Sequence, residues 1–126
     1  MLLVAYHGGF ERDLLTGIPT ESLTGENEAY QLLLEYGELI DALVTGHQHR
    51  EIAQHVLGVP VIQPGFRGDF VGEIELELDK QKKITHSKAK IHRTAESKVS
   101  TDVVELISDI SKETEEWLDP VSYTHL

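Results

Sequence analysis

The chain has 126 residues, 40% of them hydrophobic, which suits a folded domain with its own core and excludes a disordered segment. A net charge of −11 argues against a nucleic-acid polymer or an acidic membrane surface as partner. With no cysteine, disulfides and thiolate zinc sites are excluded, and no apolar run reaches the roughly 20 residues that span a bilayer.

Leu2 to Tyr6 is a continuous apolar run of strand length that stops at His7-Gly8-Gly9. It is too short for a signal-peptide core, and any such peptide would lie upstream of it. The run predicts a parallel strand buried on both faces. From Phe10 to about Gly25 the chain is polar and rich in Gly, Thr, Pro and Glu, and long loops of that kind are often functional. Thr24 is placed to cap a helix with Glu26 and Glu28 in its first turn, where acids suit the positive helix end. Ala29, Leu32, Leu33 and Tyr36 then recur at three- and four-residue spacing, and Gly37 stops the helix. Ile40 to Thr45 reads as a second strand, ended by Gly46-His47-Gln48-His49.

Strand, helix, strand in this order predicts a crossover unit with parallel strands. Both strands then end on one edge of the sheet, the edge where open α/β sheets hold their ligands. His7 follows the first strand; His47 and His49 follow the second. Distance in sequence becomes proximity in space.

A short stretch from Glu51 to Val56 reads as helical, and Val59-Pro60-Val61-Ile62-Gln63 leads into the turn Pro64-Gly65-Phe66-Arg67-Gly68. Phe70 to Leu78 alternates, with Ile74, Leu76 and Leu78 on one side and Glu73, Glu75 and Glu77 on the other, as a half-exposed strand does. Asp79 to Lys83 makes a polar turn and Ile84 to Arg93 its antiparallel partner. Most of the basic residues gather between Lys80 and Lys98, interleaved with Ile84, Ala89 and Ile91, which reads as a solvated strand face. Ser100 to Leu118 predicts a last helix with Val103, Val104, Ile107, Ile110 and Trp117 on its apolar side, ended by Pro120. Val121 to Leu126 carries no signal. The elements together predict an α/β fold.

Gly46-His47-Gln48-His49 is the most informative segment. Two histidines two apart at a strand end can aim at one region, and imidazole is a common ligand for zinc and similar ions. Gly46 is expected to give the backbone its sharp bend. His7 gains weight from the pairing, whereas His55, His86, His92 and His125 lack such a setting. Arg50 and Arg67 read as solvated arginines, with Arg67 the better placed for a phosphate. Asp13, Glu21, Glu26 and Asp41 read as loop and capping acids.

His7-Gly8-Gly9 and Gly46-His47-Gln48-His49 resemble two sequence blocks of the calcineurin-like metallophosphoesterases. Within that superfamily, Phe10-Glu11-Arg12-Asp13, Pro19-Thr20-Glu21, Leu23-Thr24-Gly25-Glu26-Asn27, Ile40-Asp41-Ala42-Leu43 and Val61-Ile62-Gln63-Pro64-Gly65 resemble the bacterial 5′-nucleotidases and 2′,3′-cyclic-nucleotide 2′-phosphodiesterases. Trp117-Leu118-Asp119-Pro120 resembles the stretch where that family passes to a C-terminal nucleotide-binding domain.

The resemblance implies a partial sheet sandwich flanked by helices, with residues 1–96 as the C-terminal half of the metal domain, 97–120 as a linker helix and 121–126 unassigned. It implies that His7 and His47 hold one divalent metal and His49 the other, with manganese, zinc, iron or cobalt as the metals. The reaction implied is phosphoester cleavage of a nucleotide by a hydroxide held between ions about 3.5–4 Å apart. The family's other blocks, Asp-x-His, Gly-Asp-x-x-Asp and Gly-Asn-His-Glu, do not occur in the sequence. No catalytic acid or substrate-binding residue is therefore assigned, and the chain alone is expected to be inactive. Much of the family is extracytoplasmic. The alternative reading is a small non-catalytic α/β module that binds one metal or a protein partner through its His-rich edge.

Overall fold

A computed structural model describes residues 1–118; Met1–Glu96 form one compact unit, and residues 97–118 belong to another. In the first unit, β1 (Leu3–Tyr6), β2 (Ala42–Thr45), β3 (Glu51–Val56) and β4 (Val59–Pro64) form a sheet in the order β1-β2-β4-β3. β1 runs parallel to β2, pairing Leu3 with Ala42 through Tyr6 with Thr45, and β2 runs parallel to β4. Between β1 and β2 lies α1 (Ala29–Tyr36), followed by a 3-10 turn over Gly37–Leu39. The predicted strand–helix–strand unit is present, and both strands end on the same sheet edge.

The pleat divides the sheet's side chains between two faces. Leu43 and Val61 enter the main core with Phe10, Ala29, Tyr30, Leu33, Ile52, Val56 and Val59. Each fully buried Val, Leu or Phe contributes about 1.5–3 kcal/mol, enough for this cluster to fix α1 and the Phe10 loop on the sheet. On the opposite face lies a groove of about 250 Å³ lined by Leu3, Ala42, Val44, Ile62, Ile74 and Leu76.

Three local expectations need correction. β1 is not buried on both faces: it is an edge strand, with Leu3 59% exposed and only Val4 and Tyr6 packed against the core. Thr24 does not cap α1, and Glu26 and Glu28 precede the helix. The cap comes instead from the loop after β1, where the buried Glu11 carboxylate accepts the backbone N–H groups of Tyr30 at 3.0 Å and Gln31 at 2.8 Å. Residues 51–56 form a strand, not a helix. Ile52 and Val56 are both buried, and a spacing of four keeps two residues on one side of a helix or of a strand alike.

What decides for the strand is the turn that follows. Val56 pairs directly with Val59, leaving Leu57 and Gly58 as a two-residue hairpin loop. Both have positive φ, 50° and 86°, the type I′ pattern. Leucine suits that position poorly and its side chain is 48% exposed. Leu57→Asn is expected to raise stability by about 0.5–1 kcal/mol, measured as a shift in the urea midpoint at unchanged slope.

The antiparallel pair is as expected: β5 (Phe70–Leu78) runs against β6 (Ile84–Arg93). Gly72 lies so close to the first sheet that an added Cβ would meet Ile62 Cγ2 at 2.2 Å. On the outer side Lys90 Nζ reaches Glu73 at 3.2 Å and His92 Nε2 reaches it at 3.1 Å. The Lys90 hydrogen bond and charge hold the Glu73 carboxyl below its ordinary range, with His92 adding to the effect. Within the basic cluster Lys90 and His92 are thus paired with the cross-strand acid Glu73.

In the second unit α2 (Thr101–Leu118) is a regular helix whose residues are all exposed, Val103, Val104, Ile107 and Ile110 among them. The expected stop at Pro120, the final stretch 121–126 and His125 lie outside the described residues.

Candidate metal centre

Parallel pairing of β1 with β2 carries His7 and His47 to neighbouring strand ends. Their ring centres are 5.6 Å apart, with the planes at 72°. Two imidazoles sharing one ion at about 2.0–2.1 Å place their ring centres roughly 4.5–5.5 Å apart, so a small ring adjustment suffices. His47 Nε2 lies 2.9 Å from Glu26 Oε1. In the neutral tautomer that donates from Nε2 to Glu26, Nδ1 of His47 carries the lone pair. The residues present are two imidazoles, donors of the kind divalent ions take, and a carboxylate that orients one of them as acids behind ligand histidines commonly do.

His49 is placed differently. Its ring stacks on Phe66, centres 5.0 Å apart and planes at 14°. The Arg67 guanidinium lies 5.0 Å from the centre of that same Phe66 ring. Among the described residues no group of three or more His, Cys, Asp or Glu is arranged around a single point to hold an ion. The structure brings His7 and His47 together and leaves His49 engaged with Phe66.

The other histidines lie elsewhere: His55 Nε2 meets Ser87 Oγ at 2.8 Å and His92 belongs to the Glu73 pair, while His86 lies across from Glu77 on the hairpin. Among the acids set aside as capping residues, Asp13 accepts from Thr16 and Leu15 in its own turn. The Thr16 N–H chiefly, with its hydroxyl and the Leu15 N–H, holds the Asp13 carboxyl below its ordinary range. Asp41 accepts from Leu2 N at 2.6 Å. Glu26 is the exception, since it faces a candidate ligand.

The sharp bend expected at Gly46 lies one residue later. Gly46 has no positive φ, whereas His47 and His49 sit at 64° and 57°. Gln48 N donates to Gly46 O at 2.7 Å, closing a three-residue ring around His47. A positive φ at the centre of such a ring is the strained form of the γ-turn. Non-glycine residues held there cost about 1–3 kcal/mol each and persist only where their surroundings over-determine them.

Those surroundings are specific. Gln48 reaches back to the loop after β1: Oε1 accepts from Phe10 N at 2.9 Å, and Nε2 donates to Phe10 O at 3.0 Å. Nε2 also reaches Glu21 Oε2 at 3.3 Å. Gly9 N donates to Asn27 Oδ1 at 2.6 Å, and Asn27 Nδ2 donates to Glu21 Oε1 at 2.8 Å. At the far end of the segment, the fully buried Gln63 accepts from Arg50 N at 2.7 Å and donates to Thr45 Oγ1 at 3.0 Å. The sequence reading set Glu26 aside as a capping acid and gave Gln48, Asn27 and Glu11 no role of their own, and the one available signal was an amide set between two histidines.

No family model matches the chain, and no curated protein matches it. A solved structure does: a Staphylococcus aureus protein named "Putative 5'-Nucleotidase", crystallised in complex with alpha-ketoglutarate, is 40% identical. The match covers 93% of this chain with a TM-score of 0.80, and 23% of that protein. The chain thus spans about a quarter of that protein's length, and over nearly its whole extent it is similar, in sequence and in fold, to a segment of it.

Proposed function

We propose that these residues work as part of a metal-dependent phosphohydrolase acting on nucleotides, either 5′-monophosphates or 2′,3′-cyclic nucleotides. The observation that carries the reading is the approach of His7 and His47 across adjacent parallel strand ends. The match to a nucleotidase-named protein supports the substrate class. Residues 97–118 read in the same proposal as a linker toward further sequence of such an enzyme.

Within this reading His7 and His47 hold one ion and His49 serves the other. Divalent ions there would supply Lewis-acid polarisation of the phosphoester and acidify the attacking water. The chain's own part is to present neutral imidazoles. Glu26 fixes the His47 tautomer, the γ-turn aims its ring toward His7, and the buried Gln63–Thr45 pair anchors the segment from below. Arg67, whose guanidinium lies over the same Phe66 ring that His49 stacks on, is the side chain best placed to meet a phosphoryl oxygen.

Three histidines split between two ions are a weak ligand set, so the 126-residue chain is expected to bind metal weakly and to turn over neither substrate class. Cobalt(II), followed by its visible absorption, tests the assignment. His7→Ala and His47→Ala should each weaken binding at least tenfold, with the amide spectrum of β5–β6 unchanged. Equal cobalt affinity in the parent chain and both variants would overturn the proposal. Tight binding of a single ion, with the same dependence on both histidines, would favour the non-catalytic metal module instead.

A further inference from the structure

We infer that Gln48 is a positioning residue, a latch that holds His47 in its strained turn and so sets the separation of the His7 and His47 rings. The metal role of those rings rests on the function proposed above; the latch itself rests on geometry alone.

The two loops that carry the rings touch at few polar points. Gly46 N donates to Gly8 O at 3.1 Å, close to the strand ends. Beyond it, the side chain of Gln48 supplies the connection, using both its acceptor and its donor on the main chain of Phe10. Phe10 is wholly buried in the core, and the neighbouring Gly9 is pinned through its N–H to Asn27 and through its carbonyl to Ala29 N. The loop after β1 is therefore a fixed platform. An amide bonded to it twice leaves residue 48 little freedom to move.

That constraint passes directly to residue 47. Its φ of 64° turns the chain so that successive side chains diverge, Gln48 toward Phe10 and His47 toward Glu26 and His7. Without the latch, residue 47 would be free to leave a conformation that non-glycine residues disfavour, and its ring would move away from His7. Glu26 cannot substitute, because its carboxylate is exposed and holds the ring rather than the backbone.

The test uses the whole 126-residue chain. Gln48→Met keeps the length of the side chain and removes its hydrogen bonding; Gln48→Glu keeps the acceptor for Phe10 N but loses the donor. In the metal-free parent chain a nuclear Overhauser contact between the His7 and His47 ring protons is expected from the 5.6 Å separation of their rings. In Gln48→Met that contact should vanish and cobalt(II) affinity should fall at least tenfold, while the β5–β6 amide signals stay in place. Gln48→Glu should weaken both readings to a lesser extent, by at least threefold in affinity. A ring contact that survives in Gln48→Met, or is absent from the parent chain, overturns the latch. Should Gln48→Met not fold, unchanged ring contact and affinity in Gln48→Glu overturn it equally. Cobalt binding that ignores His7 and His47 sinks the metal reading alone, since the ring contact is read without metal.

Discussion

Replacing Glu11 by alanine is expected to lower the stability of the first unit by about 3 kcal/mol, the loss of two charge-assisted hydrogen bonds at a helix start. The carboxylate is 2% exposed and holds the N–H groups of Tyr30 and Gln31, which have no partner inside the helix. Tyr30 is itself buried in the core, so its N–H cannot simply turn to water. Removing the carboxylate also takes away the countercharge of the Arg12 guanidinium, whose Nε is buried without a hydrogen bond and lies 3.4 Å from Glu11 Oε1, leaving it only the Nη1 bond to Gly17 O. Domains of this size are stable by only about 5–15 kcal/mol, and one kcal/mol shifts their melting point by roughly 4–8 °C. A fall of about 12–24 °C is thus expected by calorimetry. Glu11→Gln should recover only part, because its single acceptor serves one N–H and its amide nitrogen faces the other. A melting point for Glu11→Ala within 2 °C of the parent would show that α1 is capped by other means.

The frame of the fold was legible because it is written in burial. Leu43 and Val61 on one side of the sheet, and the alternation from Phe70 to Leu78, report directly which way side chains point. The strand-end positions of His7 and His47 followed from parallel pairing alone. Where the reading failed, the deciding interaction lay outside the segment being read. Thr24 has the right chemistry for a cap, but the Glu11 carboxylate reaches the same helix end from across the loop and is buried there. Residues 51–56 carried a spacing common to helix and strand, and the pairing partner 59–64 settled it.

The candidate site was legible in part for the same reason. The histidines announce themselves by type and by position after strands. Nothing local marks Gln48 as the residue that ties their loops, because its partners are backbone atoms of Phe10 and backbone atoms carry no sequence signature. The bend was assigned to Gly46 on glycine's permissiveness, yet the left-handed residues are the histidines themselves. A local rule broken at a candidate ligand is informative: strain is held there by the rest of the structure, at the place where an ion would be met.

Two glycines beside the histidines should consequently respond in opposite ways to the same added methyl group. At Gly46 a Cβ would find its nearest neighbour, His7 Nδ1, at 3.5 Å, an ordinary contact, and the φ is not positive. Gly46→Ala is expected to change stability by less than about 1 kcal/mol, in either direction. At Gly9 a Cβ would lie 2.2 Å from both Cδ and Oε1 of Gln48. The backbone there is held at its N–H by Asn27 and at its carbonyl by Ala29, so the amide has to withdraw. Phe10 N and O then lose their partners in a wholly buried residue, at a cost of about 2–4 kcal/mol. The same cause must show in combination. In a Gln48→Ala background the space is already vacant, and adding Gly9→Ala should cost less than about 0.5 kcal/mol more, a strongly non-additive pair by urea denaturation. If the two losses simply summed, Gly9 and Gln48 would be acting on separate parts of the fold, and the amide could not be what brings the two histidine loops together.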